Sequence, residues 1–141
     1  MRWIIRIVAI VVLLAMLTGG YCVYRGLTDS IHAEYVLHAA IMTIELIDEH
    51  VTSHDGAWPR SWADLEALPP RERPGMFDWP QESAKVQQYV AVDFSADPQR
   101  LAQQSVDEFD AVRPIGPYYP FKDYGGIKAL IEHVREQASK R

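Results

Sequence analysis

The chain has 141 residues, a formal net charge of −5 and a single cysteine, which leaves room for one domain once a membrane segment is set aside, because a single core generally needs about 100 residues. Setting Arg2, Arg6 and Arg25 apart from the fourteen Lys and Arg leaves eleven against nineteen Asp and Glu, so the part after Arg25 carries −8. With no basic cluster, that balance argues against nucleic acid, whose phosphates demand grouped Lys and Arg, and it disfavours anionic lipid surfaces.

Residues 7–24 carry no charge, and these eighteen residues would span about 27 Å as a helix, close to the hydrocarbon thickness of a bilayer. Trp3 precedes the run and Tyr21 and Tyr24 close it, as suits rings that prefer membrane–water interfaces. Arg2 and Arg6 lie before the run, whereas Asp29 and Glu34 follow Arg25. The positive-inside rule then puts the N-terminus in the cytoplasm. The expectation is a single-pass protein of the cell membrane, with residues 1–25 as anchor and 26–141 as an extracytoplasmic, periplasmic α+β domain. A cleaved signal peptide would share the charged start and the Thr18-Gly19-Gly20 cluster. The longer run and its apolar continuation through Tyr24 favour the anchor. Cys22 can form no internal disulfide and reads as a small apolar residue in lipid.

From Asp29 or Ser30, both N-cap types, a helix of about 25 residues is expected up to Gly56. Val36, Leu37, Ala40, Ile41, Ile44, Ile47 and Val51 form its apolar stripe, widened by Ile31, Tyr35, Met42 and Leu46. A face that wide marks the helix as the spine of the domain, and Gly56 supplies its left-handed stop. Ser61 is a natural N-cap for a short helix to about Leu68, with Asp64 in its first turn. Pro69 and Pro70 end it, and residues 71–80 read as an irregular loop anchored by Phe77 and Trp79. Residues 85–95 switch to period two, with Val86, Val90, Val92 and Phe94 on one side, the best strand of the chain. Asp97-Pro98 opens a short helix through residues 101–106. Residues 109–113 are a weaker, antiparallel strand. Pro114, Gly116, Pro117 and Pro120 stiffen a connector bearing Tyr118, Tyr119 and Phe121. A final helix from about Gly126 places Ile127, Leu130, Ile131 and Val134 together, and its tail, residues 136–141, is expected to fray.

An apolar helix leading into an amphipathic one, then Gly56, Trp58, Pro59, Ser61, Asp64 and Leu65, then strands, resembles the plan of type IV pilins and type II secretion pseudopilins. The resemblance spans residues 7–94. It implies an N-terminal transmembrane helix continuing into a long amphipathic helix packed on a small antiparallel sheet. Residues 1–6, Met-Arg-Trp-Ile-Ile-Arg, have neither the glycine nor the glutamate of a prepilin start, so the resemblance implies the architecture rather than filament assembly.

Candidate chemistry is sparse. His50 and His54 share a helix face, as two metal ligands would, but a third ligand could come only from Glu49 or an unidentified distant residue. A helix C-terminus also favours such cations without metal. Ser53-His54-Asp55 has triad letters, but adjacent residues are expected to point apart. Gly125-Gly126 before a helix reads as a turn, and Asp107, Glu108 and Asp110 as a solvated surface lacking the spaced oxygens of a calcium loop. Trp58, Trp62, Trp79, Tyr118 and Tyr119 could form a glycan platform, but fill a small core more simply. No catalytic, cofactor-binding or metal-ligating residue is therefore expected. The sequence points to a non-enzymatic structural or interaction subunit whose partners are the membrane and another membrane or envelope protein. The alternative is an envelope module binding glycan or peptide.

Overall fold

In a computed structural model of the protein, residues 2–69, 75–116, 122 and 125–140 are described. Helix α1 occupies Arg2–Ser53, so Asp29 and Ser30 lie inside a helix instead of capping one. Continuous pairing of backbone groups through this stretch leaves no orphan amides for Asp29 to cap, and its carboxylate instead lies 3.9 Å from Nε of Arg25, one turn back. The chain divides into two compact units, Met1–His32 and Ala33–Arg141.

The first unit is helix alone. Among the described residues its large apolar side chains, Val8, Ile10, Val11, Leu13, Leu14 and Leu17 among them, are exposed. The helix is long and apolar enough to cross a membrane. Thr18 and Thr28 turn their hydroxyls back onto the carbonyls of Leu14 and Tyr24, at 2.8 and 2.9 Å, which satisfies these polar groups within the helix itself.

In the second unit, α1 is the spine. Val36, Ala39, Ala40, Ile44, Leu46, Ile47 and Val51 are buried, more than one stripe can account for. Thr43 is also fully buried, and its hydroxyl donates to the Ala39 carbonyl at 2.7 Å. Ile31 is exposed, and Leu37 and Ile41 are half-buried, so the buried face is rotated from the expected stripe toward Ala39 and Thr43. The helix stops through two left-handed residues, Asp55 at φ 52° and Gly56 at φ 79°. The Gly56 amide donates to the Val51 carbonyl at 2.9 Å, closing the last turn.

Helix α2 is Trp62–Glu66. Ser61 stands at its N-cap position but its side chain makes no capping bond. The Asp64 carboxylate accepts from the Arg60 amide at 2.6 Å, which ties the residue ahead of the N-cap to the first turn, where an anion also meets the helix dipole. Helix α3, Ser83–Val86, takes the start of the expected strand. Strand β1 is only Val90–Val92 and pairs antiparallel with β2, Val112–Pro114, with Val90 opposite Pro114 and Val92 opposite Val112. The period-two pattern of residues 85–95 therefore overstates the strand. Glu82 turns the chain into α3 first, accepting the Asp78 amide at 2.8 Å while its own amide donates to the Asp78 carbonyl.

Helix α4, Pro98–Leu101, has the Asp97 cap that the sequence suggests, with Oδ1 accepting from the Gln99 amide at 2.9 Å. Helix α5, Gly125–Ser139, buries Ile127, Leu130, Ile131 and Val134. It stays helical through residues 136–139, where Lys140 pairs with Glu136 at 2.7 Å, a favourable one-turn spacing. His133 Nδ1 lies 2.7 Å from Asp48 Oδ1, which fixes α5 against the spine. The core runs from Ala39 to Val134 and includes Leu65, Leu101, Phe109 and Val112. The architecture is α+β: a long N-terminal apolar helix, a two-stranded antiparallel sheet and a C-terminal helix.

Candidate functional site

His50 and His54 come together as their spacing suggests, with ring centroids 4.1 Å apart and planes 13° from parallel. His50 is 6% exposed and its Nδ1 is buried with no hydrogen-bond partner. Burial lowers its pKa from the usual histidine value, with repulsion from His54 adding to that and Asp64 opposing it. Among the described residues, no group of three or more His, Cys, Asp or Glu is placed to hold a metal ion.

Ser53 and His54 do not point apart as adjacency suggests, because Ser53 Oγ lies 2.9 Å from His54 Nδ1. The same nitrogen lies 3.0 Å from the His50 carbonyl oxygen. A carbonyl can only accept, so Nδ1 carries the proton in that contact and cannot take one from Ser53. The hydroxyl itself donates to the Glu49 carbonyl at 2.7 Å. The pair is a helix-end hydrogen-bond cluster, not an activated nucleophile.

The acidic group after α4 is divided among separate partners. Glu108 accepts from the amide and hydroxyl of Ser105, both at 2.9 Å, and is held below the usual carboxylate pKa by those bonds, the amide first. Asp110 pairs with Arg100 at 3.3 Å, and the carbonyl of Asp107 accepts from Lys122.

The aromatic residues divide between core and half-buried positions. Trp58 and Trp79 are buried, and their indole N–H groups donate to the carbonyls of Asp93 at 2.9 Å and Leu65 at 3.4 Å. Trp62 is half-buried, edge-on to Phe94 at 5.5 Å and tilted to Trp79 at 6.4 Å. Tyr118 and Tyr119 lie outside the described residues. Buried indoles with satisfied N–H groups are what core filling requires, and they are poorly placed to stack on a sugar.

One concavity was not visible in the sequence. Residues 38–45 of α1 face residues 75–82 across a cavity of about 650 Å³, with His38, Glu45, Asp78 and Glu82 as its polar groups and Ile41, Met42 and Met76 among the apolar ones. Its two walls are at least 30 residues apart in the chain, and the second reads as irregular loop, so no spacing rule joins them. Glu82 is held below the usual carboxylate pKa, first by the Asp78 amide and then by Lys85. Lys85 is pushed up by its 3.1 Å bond to Glu82, and its ammonium lies 5.3 Å from the Tyr35 ring centroid and 5.6 Å from that of Phe77. His38 pairs with Glu34 at 3.3 Å.

No protein-family model matches the chain, and neither a curated protein nor a solved structure matches it significantly.

Proposed function

We propose that this protein is a single-pass, membrane-anchored subunit whose residues 26–141 form an extracytoplasmic, periplasmic domain with a structural or interaction role and no catalysis of its own. The observation that carries this reading is the exposed apolar surface of α1 from Ile7 through Leu17. Exposed apolar patches of that extent are costly in water and mark membrane or protein contacts, and residues 7–24 have the length of a bilayer crossing. Arg2 and Arg6 before the run and the acidic excess after it support an N-terminus in the cytoplasm. The element order, an apolar helix leading into a buried spine with a small antiparallel sheet, supports a pilin-like plan of anchor and head.

Against the ligand-module alternative stand the buried positions of Trp58 and Trp79, which remove two of the rings a glycan platform would need. Membranes extracted with alkaline carbonate test the reading. The full-length protein should stay in the pellet and, after mild detergent, migrate with a partner above the size of its own micelle. Release into the carbonate supernatant at full length would contradict it.

A further inference from the structure

We propose that helix α1 pairs with the same helix of a second copy of this chain, in parallel and in register, along a seam that runs from Ile10 to Ile31. The inference rests on the reading of residues 7–24 as a membrane anchor and names the partner of the subunit.

The stem that follows the apolar run sets the seam. Residues 25–32 hold only two large apolar side chains, Leu27 and Ile31, 60% and 59% exposed. Ile31 stands about 10 Å along the helix axis beyond Tyr24, past the hydrocarbon that the run itself fills. The two are four apart, and counting back from Leu27 in alternating steps of three and four meets Tyr24, Gly20, Leu17, Leu13 and Ile10. That alternation marks the a and d positions of a heptad, the spacing of two helices that wrap around each other. Every large side chain on this line is at least 57% exposed, and the chain's own atoms leave the space beside Gly20 open. A glycine at a seam lets two helix backbones approach closely.

Charge selects a second copy as the occupant. The positions that flank the seam in the stem are Thr28 and Ser30, both uncharged, and the Thr28 hydroxyl donates to the Tyr24 carbonyl of its own helix. Arg25, Asp29 and His32 fall at outer positions of the heptad, and Arg25 and Asp29 lie 3.9 Å apart on one chain. Identical chains therefore bring no like charges together, whereas a foreign helix chosen by charge would find no complementary group at the flanks. Copies inserted through the same run in the same orientation also present the seam at the same depth. Each copy brings six large apolar side chains, and at about 60–100 Å² apiece the pair would bury roughly 700–1,200 Å², near the lower bound of a stable interface. Confinement in one membrane raises the effective concentration of the chains and lowers the area needed.

The test is disulfide trapping of the full-length protein in its own membranes. Cys22 falls opposite the seam, so oxidation of the native chain with copper phenanthroline should give little dimer. In a Cys22→Ala background, Leu27→Cys and Ile31→Cys should cross-link to a dimer about fivefold more than Gly26→Cys and Asp29→Cys, which lie away from the seam. In mild detergent the native protein should have the mass of two chains. Leu27→Ser combined with Ile31→Ser should weaken association about tenfold, with the melting of the domain unchanged because both positions are exposed in the single chain. No cross-linked dimer, equal cross-linking at all four positions, or strongest cross-linking at Gly26 or Asp29 would overturn the proposal, as would serine substitutions that leave the mass at two chains. Retention in the carbonate pellet beside any of those results would leave the anchor standing without this seam, whereas release into the supernatant would remove both.

Discussion

The indole N–H of Trp58 donates to the carbonyl of Asp93 across 35 positions of sequence, at 2.9 Å. The bond joins the segment after the spine helix to the end of β1, where the Asp93 amide also donates to the Ala111 carbonyl at 2.8 Å. Removing the donor while keeping a ring should cost about 1–3 kcal/mol, because a part-buried carbonyl loses its partner. Trp58→Phe should therefore lower stability by that amount in urea unfolding, and Trp58→Ala by about 3–5 kcal/mol once the cavity is added. A Trp58→Phe protein as stable as its parent would show that the bond contributes nothing net.

Gly56 is constrained twice. Its φ of 79° is a left-handed conformation, and a Cβ placed there would lie 2.6 Å from Cβ of Gln137 on α5. The clash is with the base of a side chain rather than its free end, so α5 itself must move. Gly56→Ala should destabilise by about 1–3 kcal/mol from backbone strain alone, and by more if α5 cannot move. Pairing it with Gln137→Gly should recover only the steric part. Thermal melts of the two proteins separate strain from clash.

The first turn of α2 gives a sharper test, since Ser61 makes no capping bond whereas Asp64 holds the Arg60 amide ahead of the helix. Ser61→Ala should change stability by less than about 0.5 kcal/mol, as for an ordinary surface substitution. Asp64→Ala should cost about 1 kcal/mol through the lost bond from the Arg60 amide and the lost anion at the helix N-terminus. The reverse ranking in chemical denaturation would restore Ser61 as the cap.

Stability should fall with mild acid because of His50. Its folded pKa lies below the unfolded value of 6.5, so the unfolded chain binds more protons and stability rises with pH through this range. The contribution is fully present above pH 6.5 and is lost as the pH falls from there toward the lowered folded value. His50→Phe should flatten the melting temperature across that window, leaving the acid losses below it to carboxylates such as Asp93, whose pKa is lowered by its bonds from Ser95. An unchanged pH profile in the variant would assign the slope to other groups.

Much of the layout was legible because it rests on local signals. The charge-free run of residues 7–24, the Gly56 stop, the Asp97 cap and the α5 face at Ile127, Leu130, Ile131 and Val134 each follow from a short-range rule. The rest depends on long-range contacts. Residues 85–95 alternate like a strand, yet the reciprocal bonds of Asp78 and Glu82 turn the chain toward α3 first, and a two-stranded sheet leaves little pairing to extend β1. Ser61 takes the N-cap position its residue type suggests but makes no capping bond, because a sequence gives cap candidates but not the side-chain direction that decides whether the bond forms. The cavity brings His38 and Glu45 opposite residues 75–82, whose Phe77 and Trp79 belong to the same buried core as α1.

Two reporters fused in turn after Arg141, one active only in the periplasm and one fluorescent only in the cytoplasm, test an anchor through residues 7–24 with the domain outside the cytoplasm. The periplasmic reporter should be active, the cytoplasmic one dark, and both fusions should stay in the membrane pellet with the N-terminal residues intact. A fluorescent cytoplasmic fusion with an inactive periplasmic one would contradict the orientation, and a soluble product cut near Tyr21 would replace the anchor with a signal peptide.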